Sequence, residues 1–204
     1  CDANGALPPA AATGPEGSNN FSMKARVLPF LEQQALFDSM NMRFWQESAE
    51  NAANLTTAVT AFLCPSDANV PCGAYQGGGL SPRQIAYTSY PNNLGTTPTN
   101  NGGRFDGPAY FMGAGTVASV ARLAPTVTLA GVTDGTSQTV IWGEMVRGRN
   151  GSNAPGPNQV YLIPAPAPAS DAYTPLDAFM DACGRATDLA GFDHKGQIWG
   201  TDSA

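Results

Sequence analysis

The sequence predicts an α+β fold in which helices pack on an antiparallel sheet and long Gly/Pro-rich loops join the elements. Three observations carry this expectation. The 204 residues include 23 Gly and 17 Pro and only 13% are charged, a composition that favours short strands and turns over long salt-laced helices. The stretch KARVLPFLEQQALFDSM places Val27, Leu28, Leu31, Ala35 and Leu36 on one helical face. Ile85 to Tyr90 alternates apolar and polar residues, the signature of a half-buried strand.

The elements are expected in the following order. Residues 1–20 are polar and Gly/Pro/Ala-rich, hence extended. A helix covers about 29–39, with Pro29 at its start, where a missing N–H costs little. A short helix covers about 49–58, and AFLCPSD, residues 61–67, reads as a brief strand. Residues 68–84 form a loop. Its Gly77-Gly78-Gly79 is no phosphate loop, because no Lys-Ser/Thr follows it. After the strand at 85–90, RFDGPAYFM is strand-like around Pro108, which suits a sheet edge. Residues 116–123 form a helical turn. TVTLAGVTDGTSQTVIWGEM carries two strand pieces joined through Asp134-Gly135, with Gly135 at positive φ. Val140 and Trp142 then share one face, with Trp142 in the core. Residues 154–170 form a Pro-rich loop, 175–186 a helix, and GQIWGTDSA a last strand. The whole of 1–204 reads as one globular domain.

Charge and composition narrow the function. The formal charge is −6 and no basic cluster appears, which sets nucleic-acid binding aside. No apolar run is long enough to span a membrane. Four Cys occur, Cys1, Cys64, Cys72 and Cys183, without a C-x-x-C pair. A tetrahedral zinc site would need ligands from remote segments, so neither metal nor cofactor is expected. Cys64 and Cys72 flank the Pro-rich segment PSDANVP and could close it as a disulfide; the alternative is buried free thiols. The pairing of Cys1 and Cys183 stays open.

Enzyme signals are weak. His194 is the only imidazole, and its neighbour Asp193 does not orient it; no G-x-S-x-G elbow occurs. Glu144 could pair with Glu32, Asp134 or Asp106 as glycosidase carboxylates, but structural roles are the simpler reading. Asp67, Asp106 and Asp134 lack the D-x-D-x-D-G pattern of a calcium loop. Trp45, Trp142 and Trp199 could form a sugar platform or fill a core. No catalytic residue is assigned.

Six stretches, DANGALPPAA, RVLPFLEQQALFD, FLCPSD, TSYPNNLGT, TDGTSQTVIWGE and KGQIWGTD, occur in an order that resembles a planctomycete family of unknown function. In that family the domain follows a prepilin-type N-terminal cleavage/methylation helix. The resemblance implies a pilin- or pseudopilin-like protein related to type II secretion and type IV pilus systems. It implies that this chain is the pilin-like head, lacking the leader helix and the C-terminal end. The function so implied is a non-enzymatic structural subunit of an extracellular or periplasmic pilus, pseudopilus or filament at the cell surface. Its partners would be other pilin-like subunits. The alternative is an extracellular carbohydrate- or ligand-binding module.

Overall fold

The computed structural model describes residues 5–12, 21–44, 46, 48–75, 83–95, 107–112, 126–149, 155–162, 176–189 and 195–196. It is a mixed α+β structure of short pieces. Eight named elements run in the order β1 (Ala11–Ala12), α1 (Met23–Val27), α2 (Gln34–Asp38), α3 (Ala52–Leu55), β2 (Cys72–Tyr75), β3 (Arg83–Ala86), β4 (Phe111–Met112) and α4 (Leu176–Arg185). Single 3-10 turns lie at Leu28–Leu31, Thr60–Phe62 and Leu129–Gly131.

Helix α1 begins at Met23 because the Ser22 side chain accepts from the N–H groups of Lys24 and Ala25 at 3.2 and 3.4 Å, capping two orphan donors. The helical region therefore starts ahead of the expected residue 29. It also breaks. Pro29 sits in the 3-10 turn, and Glu32 ends that turn in the left-handed conformation at φ 60°. A non-glycine residue there costs roughly 1–2 kcal/mol. The chain restarts as α2, whose end is clamped to α3 by side chains. Asn51 Nδ2 donates to the Asn41 carbonyl, and Asn54 Nδ2 donates to that of Ser39, both at 3.0 Å.

Strands β2 and β3 pair antiparallel, with Cys72 opposite Ala86 and Tyr75 opposite Arg83. Strand β2 lies where the sequence predicted only loop, and β3 begins two residues before the expected strand. β1 and β4 pair in parallel, Ala11 with Phe111 and Ala12 with Met112, so the sheet content is not wholly antiparallel. The expected strand over AFLCPSD is instead the 3-10 turn Thr60–Phe62 followed by extended Leu63. A short apolar run does not distinguish these by periodicity. The predicted helix at 175–186 corresponds to α4. The helical turn expected at 116–123 lies outside the described residues, as does all but Gly196 of the last strand.

The main core gathers Phe21, Ala25 and Leu28 from the first helical region with Met40, Val59, Phe62 and Ala86. Ala52, Leu55 and Ile85 make a second cluster, and Ala10, Met23 and Ala109 a third, against which Leu94 and Ile141 pack. This last contact corrects the expectation for Trp142. Ile141 faces inward, whereas Val140 is exposed and Trp142 is 37% exposed. The segment makes one isolated bridge, Asn92 with Trp142, rather than a strand. Gly135 does take a positive φ, of 91°.

No helix among the described residues is long and apolar enough to cross a membrane.

Candidate functional site

Two features stand out, a polar knot and an apolar cleft, and they share Trp142.

The knot ties together segments that are far apart in sequence. The Ser89 N–H donates to the Phe62 carbonyl at 2.8 Å, and the Ser89 hydroxyl accepts from the Cys64 N–H at 3.0 Å. The Met145 N–H returns to the Ser89 carbonyl at 2.8 Å, and Gly143 N–H to that of Pro91 at 3.1 Å. The Thr88 N–H donates to the Gly196 carbonyl at 2.7 Å. Gly196 sits at φ 79°, and a Cβ there would collide with the Thr88 carbonyl oxygen. The position therefore requires glycine twice over, for its backbone conformation and for its close approach.

At the centre of the knot lies the ion pair Arg147–Asp67, Nε to Oδ2 at 3.1 Å, with side chains only 3% and 7% exposed. The same oxygen accepts the Arg147 N–H at 2.9 Å, while Oδ1 accepts from Asn69 N and Nδ2 at 3.0 and 2.6 Å. The remaining Arg147 donors reach the carbonyls of Val70 and Asp67, at 3.2 and 2.6 Å. Burial pushes the Asp67 carboxyl up, but the donors from Arg147 and Asn69 outweigh it and hold it down at about 2. Both carboxylate oxygens are committed to these donors, so Asp67 serves the fold rather than a calcium ion or a proton transfer.

A second polar centre is Asn92 Oδ1, which accepts from Lys24 Nζ at 3.3 Å and from Trp142 Nε1 at 3.0 Å. Lys24 is 2% exposed, and burial lowers its pKa to about 8.

The cleft measures about 630 Å3. One wall is the segment Ala6–Pro9, held by the Leu7 N–H on the Val127 carbonyl and the Ala10 N–H on that of Tyr110. The floor is α1, through Met23, Arg26 and Val27. Phe30, Phe37, Tyr110, Ile141 and Trp142 add aromatic and apolar surface, and Thr126 a hydroxyl. Within this lining, Arg26 Nε is buried without a hydrogen-bond partner. Burial pushes its guanidinium down from its ordinary value, opposed only by Tyr110. The Tyr110 hydroxyl is spent on the Leu7 carbonyl, at 2.6 Å.

The residues singled out from sequence are dispersed. Glu32 and Asp134 are exposed, at separate turns. Glu144 is exposed and shares a shallower pocket of about 410 Å3 with Asp67, Cys64 and Ser66. Asp106, His194, Trp45 and Trp199 lie outside the described residues, and so does Cys1. Cys64 and Cys72 are free thiols, as is the exposed Cys183, so the expected bridge is not formed in this structure. Cys72 Sγ instead lies 3.7 Å from the Thr56 carbonyl. Among the described residues, no group of three His, Cys, Asp or Glu side chains could hold a metal ion.

Sequence reasoning overlooked Arg26, Lys24, Asn92 and Arg147. Arg147 lies in GEMVRGR, which has no recognisable pattern, and its partner is 80 residues away. Arg26 sits within a motif, but no sequence signal shows that it lacks a counter-charge.

Residues 2–201 fit the family described as a protein of unknown function (DUF1559), and the chain belongs to that family. Comparison with curated proteins and with solved structures gives no match.

Proposed function

We propose that this chain is the pilin-like head of a non-enzymatic structural subunit of an extracellular or periplasmic pilus, pseudopilus or filament, of the kind associated with planctomycete prepilin-type proteins. One observation carries the reading. Four of the six family-like stretches, FLCPSD, TSYPNNLGT, TDGTSQTVIWGE and KGQIWGTD, meet in the polar knot and bond to one another there. Their polar groups are consumed in internal bonds: Ser89 and Asp67 accept from the backbone N–H groups of Cys64, Asn69 and Arg147, and Asn92 accepts from the Lys24 and Trp142 side chains. A motif set spent on fixing a fold fits a building block better than a catalyst, which needs free lone pairs and a tuned acid or base. Partners would then be other pilin-like subunits, met at the cell surface.

The test uses the complete reading frame that encodes this chain, expressed with and without a prepilin peptidase. Peptidase-dependent shortening at the N-terminus, and recovery of the product in sheared surface filaments, is the expected result. A product that stays full-length and intracellular in both strains rejects the filament reading.

A second reading, an extracellular ligand-binding module, is favoured by the cleft. Its volume falls in the range of about 300–1,000 Å3 of small-molecule sites.

A further inference from the structure

We propose that the cleft above α1 binds a small aromatic carboxylate, with Arg26 as the group that reads the charge. The proposal rests on the ligand-binding reading and names its ligand class.

The cleft is apolar in its walls and cationic at one point. Arg26 brings a planar guanidinium whose forked donors match a carboxylate's two oxygens. Its Nε is buried and unpartnered, whereas Arg147 is paired with Asp67 elsewhere. No acid occurs among the described lining residues. A partly buried cation without an acid among the described lining residues is an arrangement that an entering anion improves.

The other polar groups of the lining decide between ligand classes. The Tyr110 hydroxyl already donates to Leu7, and Trp142 Nε1 already donates to Asn92. Besides Arg26, the Thr126 hydroxyl is then the side-chain group left in the described lining for the many hydroxyls of a neutral sugar. What remains is ring surface. Phe30 is 71% exposed and Trp142 37%, both on the cleft with Phe37. Aromatic faces of this kind suit a flat ring by offset or edge-on stacking. A ligand with one anionic group and one aromatic body satisfies both halves of the lining.

The test is calorimetric titration of the purified chain with 2-naphthoate and with its uncharged isostere 2-naphthamide. Wild type should bind naphthoate at least about tenfold more tightly than naphthamide. Arg26→Gln should erase that difference and leave naphthamide binding as it was, and Arg26→Lys should retain part of it. Phe30→Ala should weaken both probes. Equal affinity of wild type for the two probes overturns the carboxylate proposal but leaves a neutral-ligand module standing. No heat from either probe at millimolar concentration, with no response to soluble glycans, removes the binding reading as well. Binding of glycans alone also overturns the carboxylate. Should Arg26→Gln fail to fold, Arg26 is a structural residue and the proposal falls, a result the melting curve of that variant reports directly.

Discussion

Replacing Asp67 by Asn strands the Arg147 guanidinium in a site where its side chain is 3% exposed. Breaking a buried ion pair by removing one partner costs about 3–5 kcal/mol, against total domain stabilities of about 5–15 kcal/mol. The proton linkage supplies an independent figure. The carboxyl is held at about 2 against an ordinary 3.8. At ~1.36 kcal/mol per unit, this sets an upper bound of about 2 kcal/mol of stability at neutral pH, reduced by solvent screening. The folded pKa is the lower one, so this stability is fully present above pH ~4 and is lost as pH falls through about 2. Urea unfolding at a series of pH values measures both. At pH 7 Asp67→Asn should lose about 3 kcal/mol or more, and the gap to wild type should narrow as the pH drops from 4 towards 2. Adding Arg147→Met removes the stranded charge, so the double variant should recover part of the loss. A single variant within about 1 kcal/mol of wild type, or a gap that stays constant down to pH 2, would refute the structural role assigned to the knot.

Three other outcomes are expected. Lys24→Met should stabilise the protein at pH 7 by about 1–3 kcal/mol, because the buried ammonium is disfavoured; wild type should close the gap between pH ~8 and ~10.5, where the unfolded chain holds the extra proton, and a destabilised variant in urea titration would contradict this. Gly196→Ala combines a positive φ with a collision on the Thr88 carbonyl and should cost about 3 kcal/mol, while Gly135→Ala, in open space, should cost only about 1 kcal/mol, as thermal melts of the two would show. Timed alkylation with iodoacetamide, read by mass spectrometry, should label exposed Cys183 well before Cys72, whose thiol burial pushes up against the opposing Arg147 charge; equal rates would mean that Cys72 is not sheltered.

Local pattern made some of the fold legible. Helix α4 follows its predicted limits because amphipathic spacing after a proline is a local signal. The helix expected at 29–39 was half legible. Its apolar spacing is real, but Ser22 lacks the usual acidic partner three residues on, so the capped start at Met23 was missed. Its break at Glu32 requires a left-handed glutamate, which no propensity favours. Period-2 alternation at Val140–Trp142 was read correctly as a pattern and assigned to the opposite face. Tertiary context reversed it, because the third core cluster takes Ile141. The candidate site was less legible for the same reason at longer range. Asp67 drew notice as an acid, yet its role depends on Arg147, and no sequence spacing announces a partner 80 residues away.

Trp142 connects the knot to the cleft. Its Nε1 is fixed on Asn92 Oδ1, the same oxygen that receives Lys24, while its ring forms part of the cleft wall. The flanking backbone is pinned on both sides, by Asn93 N–H on the Ile141 carbonyl and by Gly143 N–H on that of Pro91. A half-exposed indole held this way loses little rotamer freedom when a ligand stacks on it, which is the physical content of preorganisation. Phe30 lines the same cleft, from the helical region that carries Arg26 and whose α1 is capped by Ser22. The polar bonds of the knot therefore set the geometry of a cleft wall that presents an aromatic face. The proposed structural and binding readings do not compete, since the groups that fix the backbone at the knot are those that position the Trp142 ring in the cleft.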